Sequence, residues 1–76
     1  MAKIVTDEYV NLIPAVRHSP QQYLWSSYDS DADVLYVNFR EPKAATDSEL
    51  TQDDIILRYE GEELIGITIL NASKRA

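Results

Sequence analysis

The sequence predicts an α+β domain in which an N-terminal helical segment packs on an antiparallel β-meander of about four strands. Three observations support this fold class. Apolar residues have helical spacing before Pro20, they alternate after it, and the length of 76 residues suits one domain. We therefore divide a single domain, residues 1–76, into a helical N-terminal segment over residues 1–20 and a sheet core over residues 21–76.

The helical segment is predicted over residues 4–18. Its apolar residues fall on one face of a helix: Tyr9, Leu12 or Ile13, and Val16. Thr6 or Asp7 is expected to cap the first turn, where negative charge also suits the helix dipole. Pro14 lacks the amide that would bond the carbonyl of Val10, so we expect either a kinked helix or two short pieces broken near residues 11–13.

The sheet core is predicted from four alternating stretches: residues 22–28, 34–40, 54–59 and 64–70. The short polar residues at 29–32 predict a hairpin turn, and Gly61 suits a tight turn that requires positive φ. A short edge strand is expected around residues 44–48. The residues Asn71 to Ser73 are expected to form a turn or a short C-terminal helix.

The alternation assigns two faces to this sheet. The predicted buried face carries nine side chains: Leu35, Val37, Phe39, Ile55, Leu57, Tyr59, Ile65, Ile67 and Ile69. The opposite face carries Trp25, Val34, Tyr36 and Ile56, which is more apolar surface than a solvated face needs. These four residues are our candidate interface residues.

Charge excludes several classes of partner. The chain has a formal net charge of −6, and residues 29–63 hold eleven acidic residues against three basic ones, a charge of −8. Such a surface repels nucleic acid and anionic membranes, while it suits a basic protein partner or serves solubility alone. No apolar run is long enough to span a membrane, and the start of the chain lacks a signal sequence, so we expect a cytoplasmic protein.

The sequence offers few residues for chemistry. Asp29, Asp31 and Asp33 resemble the opening of an EF-hand loop, but Val34 and Arg40 stand where glycine and glutamate are required. Weak binding of a divalent cation is all that this carboxylate loop suggests. The chain has no cysteine, and His18, beside Pro20, is expected at an exposed segment end. We predict no catalytic residue, no cofactor and no enzyme activity.

Two strings carry a family resemblance. The residues YDSDADVLYV at 28–37 and GITILNASKR at 66–75 resemble the opening and closing motifs of domain-of-unknown-function family 2283, and DIILRY at 54–59 resembles its middle strand. The resemblance covers residues 23–75 and implies a bacterial protein, with residues 1–20 as an extension of the cyanobacterial type. It implies no activity. It gives Asp29 and Asp33 the role of shaping a hairpin and makes Gly66 a point of close packing.

These observations predict a small, acidic, non-catalytic protein-interaction module, either homodimeric or bound to a partner. The resemblance adds a more specific form, in which the chain is the antitoxin-like, neutralising partner of a small basic protein. The alternative is a weak binder of a divalent metal or small ligand at the loop of Asp29 to Asp33.

Overall fold

The computed structural model describes residues 4–41 and 45–75. Within those ranges the elements are α1 (Thr6–Val10), α2 (Ile13–Arg17), β1 (Trp25–Asp29), β2 (Val34–Asn38), β3 (Asp47–Leu50), β4 (Ile55–Glu60), β5 (Glu63–Leu70) and a 3₁₀ turn (Ala72–Lys74). The α+β class is confirmed, with five strands where about four were predicted.

The helical segment is broken as expected. α1 ends at Val10 and α2 begins at Ile13, with Pro14 in its first turn, where a missing amide removes no helical hydrogen bond. The expected caps are wrong. Thr6 and Asp7 lie inside α1, and the N-cap position belongs to Val5, whose side chain cannot accept the hydrogen bond of a cap.

All five strands form one antiparallel sheet in the order β1-β2-β5-β4-β3. β1 and β2 make one hairpin, and β3, β4 and β5 make a three-stranded meander. A simple meander would place β3 beside β2. The chain instead crosses to the far edge and returns, so that β5 pairs with both β2 and β4 at the centre.

The fifth strand is the edge strand that the sequence suggested around residues 44–48. The first residue of the predicted strand, Ala44, lies outside the described residues. The observed strand runs from Asp47 to Leu50. All four of its residues are exposed, so pairing with β4 rather than burial keeps it extended.

The register confirms the two predicted faces. Leu35, Ile69 and Ile55 lie side by side across the sheet, as do Val37, Ile67 and Leu57, so they share a face. An irregularity between Arg58 and Tyr59 shifts the pairing, and Tyr59 lies opposite Leu64.

The burial of the two faces is less unequal than predicted. Val37, Phe39 and Ile65 are buried on the expected core face, but Leu35, Ile55 and Ile67 are only half-buried. On the other face Val34 and Thr68 are buried as well. A single sheet with a thin cover explains this, because within residues 4–41 and 45–75 no second complete layer closes either face.

Gly66 is the point of close packing that the family resemblance implied. A Cβ atom added there would lie 2.9 Å from the carbonyl oxygen of Val37 and 3.1 Å from Oδ1 of Asn38. Gly61 has the predicted positive φ, 63°, in the β4–β5 turn. Among the described residues no helix has the length and apolar character needed to cross a bilayer.

Candidate functional site

The loop between β1 and β2 contains the three acids that were singled out as metal candidates. Oδ1 of Asp29 accepts hydrogen bonds from the backbone amides of Asp31 at 3.0 Å and Ala32 at 3.2 Å. Asp33 has a left-handed backbone with φ of 56°, a conformation that aspartate tolerates better than most residues. Asp29 and Asp33 therefore shape the hairpin, as the resemblance implied.

The carboxylate of Asp33 joins the hairpin to the C-terminal turn. Tyr28 donates its hydroxyl to Oδ1 at 2.6 Å, and Ser73 donates its amide to Oδ1 at 2.9 Å and its hydroxyl to Oδ2 at 2.8 Å. The amide of Ala72 donates to the carbonyl of Asp33 at 3.0 Å. We call the side chains of Tyr28, Asp33 and Ser73 the polar clasp.

The clasp changes the acidity of its members. The hydrogen bond from Tyr28, followed by those from the amide and the hydroxyl of Ser73, lowers the pKa of Asp33 below its ordinary value. The same bond to a negatively charged acceptor raises the pKa of Tyr28. Asp33 therefore stays ionised at neutral pH and holds both donors.

Arg75 extends this connection to the other loop at the same end of the sheet. Its Nε donates to the carbonyl of Leu70 at 2.8 Å, and its Nη2 donates to the carbonyls of Asp53 and, at 3.4 Å, Asp54. Residues 71–75 thus hold the β1–β2 and β3–β4 loops together. The two sequence motifs meet in space as one structural feature.

The polar clasp leaves little for metal chemistry. Both carboxylate oxygens of Asp33 accept hydrogen bonds, and Asp29 Oδ1 accepts two. Across residues 4–41 and 45–75, no three or more histidine, cysteine or acidic side chains come close enough to hold a metal ion.

The remaining candidates for chemistry occupy turns. His18 is exposed at the C-terminal end of α2, which agrees with the expected segment end. The hydroxyl of Ser19 donates to the carbonyl of Val16 at 2.6 Å, and so closes the turn after the helix. The Ser19 side chain therefore stabilises local structure.

An apolar groove opens between the helical segment and the predicted core face of the sheet. It has a volume of about 350 Å³. Its lining comes from α2 and the residue before it, and from the first, second and fifth strands and their flanks: Leu12, Ala15, Leu24, Ser26, Leu35, Val37, Phe39, Ile67 and Ile69. Leu12 and Ala15 lie beside the sheet, but α1 and α2 have no buried residue, so the segment does not make the close packing on the sheet that was predicted.

The helical segment is itself exposed. Neither α1 nor α2 contains a buried residue. Six large apolar side chains in this segment are between 42% and 68% exposed: Ile4, Val5, Tyr9, Val10, Leu12 and Ile13. We call these six residues the apolar patch. The patch and the groove share Leu12, so they form one continuous surface.

The four predicted interface residues lie on the opposite face of the sheet. Trp25 and Tyr36 are exposed and Ile56 is half-buried, but Val34 is 7% exposed. Tyr36 and Ile56 lie on either side of Thr68 in the central strand. Two of these four side chains are exposed, against six in the apolar patch.

The sequence reasoning missed the apolar patch as a functional surface. Part of the signal was present, because Ile4 and Val10 lie off the stripe of Tyr9, Leu12 or Ile13, and Val16, so the apolar residues of the segment extend beyond one face.

Arg40 forms ion pairs with two glutamates of the acidic stretch, residues 29–63. Nη1 of Arg40 lies 2.5 Å from Oε2 of Glu63, and Nη2 of Arg40 donates to Glu60. The hydrogen bond to Glu60 is the main reason that the pKa of Arg40 is raised. This arginine links the end of β2 to the β4–β5 hairpin.

One protein family matches the chain. The family model described as "Protein of unknown function (DUF2283)" covers residues 25–73, which include the whole polar clasp and exclude α1 and α2. This match confirms the family resemblance seen in the two motifs. Neither a curated protein nor a solved structure matches the chain.

Proposed function

The chain belongs to the DUF2283 family of proteins of unknown function, and we propose that it is a non-catalytic protein-interaction module. It binds another polypeptide through the apolar patch and the groove. The observation that carries this proposal is the helical segment, in which six large apolar side chains are exposed and no residue of either helix is buried.

Physical arguments favour a partner for this segment. Isolated helices shorter than about 12 residues are marginal in water, and α1 and α2 have five residues each and no side-chain N-cap bond. Burying apolar surface contributes roughly 25 cal/mol per Å², so covering the segment stabilises the helices and the partner complex together.

The polar groups support the non-catalytic part of the proposal. The carboxylate with the most marked environment, that of Asp33, accepts three hydrogen bonds from Tyr28 and Ser73. An acid or base in catalysis needs access to a substrate proton, whereas these bonds hold two distant parts of the chain together. A cytoplasmic location without nucleic-acid binding belongs to the same proposal, and the net charge of −6 and the lack of cysteine support it.

The test compares two variants with matched exposure. Tyr9 in the patch and Leu50 on β3 are each 61% exposed, so either accepts glutamate without disturbing a core. We expect the wild-type chain and Leu50→Glu to sediment above the monomer mass or to retain the same polypeptide from a lysate of the source cell. Tyr9→Glu should lose that interaction. A strict monomer that retains nothing would refute the proposal.

The antitoxin-like form of this function rests on charge. Asp47 and Glu49 are exposed on the edge strand β3, and Asp53 is exposed in the next loop. A small basic protein encoded beside this chain would meet these acids, and its binding would weaken as salt is added. Mixing the two purified proteins at low and high salt tests this form. Absence of a small basic neighbour in the genome would remove its basis.

Weak cation binding at Asp29, Asp31 and Asp33 has less support, because hydrogen-bond donors surround Asp29 and Asp33. Titration with calcium, magnesium and manganese, followed by amide NMR shifts, would test it. Shifts confined to residues 29–33 would support a site there, and unchanged spectra would exclude one.

A further inference from the structure

We propose that the partner of the apolar patch is a second copy of this chain. In the resulting two-fold dimer, the helical segment of each protomer lies in the groove of the other. This inference rests on the proposed function, because it uses the same surface and names its occupant.

The apolar patch and the groove lie next to each other on the molecule. The helical segment supplies Leu12 and Ala15 to one wall of the groove, while Tyr9 and Ile13 of the same segment are exposed. The apolar patch and the groove are therefore adjacent on one protomer. A two-fold axis beside the groove places the patch of each copy in the groove of the other, so that one contact buries both surfaces.

The apolar area of the patch and the groove is large enough to matter for association. With exposures between 42% and 68%, the six side chains of the patch present roughly 500 Å² of apolar surface. A stable interface buries about 800 Å² on each partner. The groove adds a smaller area, because Val37 and Phe39 in its lining are buried, so the two features together come to the lower end of the range for stable interfaces, about 600 Å² on each partner.

The lack of charge in the groove favours a second copy over a basic partner. All nine residues that line the groove are uncharged, and the helical segment carries Asp7 and Glu8 with Arg17 nearby. Two chains of net charge −6 can therefore make this contact through uncharged lining residues. A basic partner would find no acidic side chain in this groove.

The sheet edges offer a competing way to associate. The edge strand β3 carries Asp47 and Glu49, which oppose pairing with another copy, while β1 is uncharged from Trp25 to Tyr28. The experiment must therefore separate pairing through β1 from docking in the groove.

Sedimentation equilibrium over a range of concentrations is the first test. We expect the wild-type chain to have twice the monomer mass. Ile13→Glu should weaken dimerisation roughly tenfold or more, because it would place a charge in an apolar contact. Leu50→Glu and the edge variant Ser27→Lys, which adds a charge to β1, should leave the dimerisation constant unchanged. Far-UV circular dichroism at low concentration checks that each variant keeps the sheet.

Cross-linking is the second test, and it does not depend on how well Ile13→Glu folds. The natural chain has no cysteine, so Ile13→Cys and Ser26→Cys each introduce one unique thiol. We mix the two differently tagged chains and add a short bismaleimide. Cross-links should join the two different chains, and Leu50→Cys in place of Ile13→Cys should give none.

The outcomes distinguish this inference from the proposed function. A monomeric wild-type chain, or a dimer lost only in Ser27→Lys, would overturn the inference. If that monomer still retained a different polypeptide that Tyr9→Glu loses, the proposed function would stand without the dimer. A dimer sensitive to Ile13→Glu, together with cross-links between Ile13→Cys and Ser26→Cys, supports both.

Discussion

The two ends of this chain achieve order in different ways. At the C-terminal end, residues 71–75 make hydrogen bonds to the β1–β2 and β3–β4 loops through Ser73 and Arg75. At the N-terminal end, α1 and α2 have neither a side-chain cap bond nor a buried residue. Side-chain hydrogen bonds therefore hold the C-terminal end in place, whereas the helical segment has few interactions of its own.

The difference between the two ends corresponds to a division between a region that stabilises the fold and a region that associates with another chain. The family match covers the sheet and the polar clasp, from residue 25 to residue 73, and excludes the helices. We infer that the sheet and its clasp provide the fold, and that the helical segment provides the contact with another chain. Equivalent substitutions in the two regions should therefore have different consequences.

The largest effect is expected from Ile65→Ala. Ile65 is 3% exposed, and removing a buried isoleucine side chain costs about 2–5 kcal/mol. Ile13→Ala is the matched substitution in the helical segment, where Ile13 is 51% exposed, and it should change the free energy of unfolding by about 0.5 kcal/mol or less. Urea unfolding at low protein concentration measures both. Equal losses would show that the helical segment unfolds as part of the sheet.

A smaller loss is expected from Gly66→Ala. The new Cβ atom would lie 2.9 Å from the Val37 carbonyl oxygen, a backbone atom in the neighbouring strand that cannot move alone. Overpacking of this kind costs about 1–3 kcal/mol. Gly61→Asn is the control, because asparagine tolerates the positive φ there and a Cβ would have open space. Unfolding of Gly66→Ala at the wild-type urea midpoint would contradict the close contact.

A still smaller effect is expected from Asp33→Asn, which weakens the polar clasp. The folded state lowers the pKa of Asp33, so ionised Asp33 favours folding above the unfolded-state pKa of about 3.9. This contribution is lost as pH falls below that value, through the lower folded-state pKa. The wild-type urea midpoint should therefore exceed that of Asp33→Asn at pH 7, and the difference should shrink in acid.

Asp31→Asn is the control for the clasp, because it removes the same charge from the same loop without touching Tyr28 or Ser73. Its urea midpoint should follow the wild-type curve at every pH. If Asp31→Asn and Asp33→Asn behaved alike, net charge rather than the clasp would explain the loss.

Local chemistry predicted much of this fold. The alternation of apolar residues gave the four long strands and the two faces of the sheet. Pro14 gave the break between α1 and α2, because a missing amide has the same effect in any context. The turn at Gly61 followed from its lack of a side chain, whereas the close packing at Gly66 was implied by the family resemblance.

Tertiary pairing determined the remainder, and the sequence carried little sign of it. The segment from Asp47 to Leu50 has a low intrinsic preference for strand structure, and it forms a strand because it pairs with β4. Nothing local places β5 between β2 and β4. The polar clasp joins Asp33 to Ser73 across 40 residues, so its two halves were visible as motifs but their contact was not. The groove likewise exists only once the helices lie beside the sheet.

The smallest effect is expected from Val5→Ser at the start of α1. Val5 occupies the N-cap position with an extended backbone, φ −95° and ψ 99°, and serine there can accept a hydrogen bond from an amide of the first turn. A cap of this kind stabilises a helix by about 0.5–1 kcal/mol. Because the sheet is complete without the helices, we expect slower amide exchange within residues 6–10 and an unchanged urea midpoint at low protein concentration. Val10→Ser is the control, since Val10 is similarly exposed but ends α1, and it should give no added protection. A higher urea midpoint in Val5→Ser would mean that the helical segment and the sheet unfold together, and the division between a stable sheet and an associating segment would then be wrong.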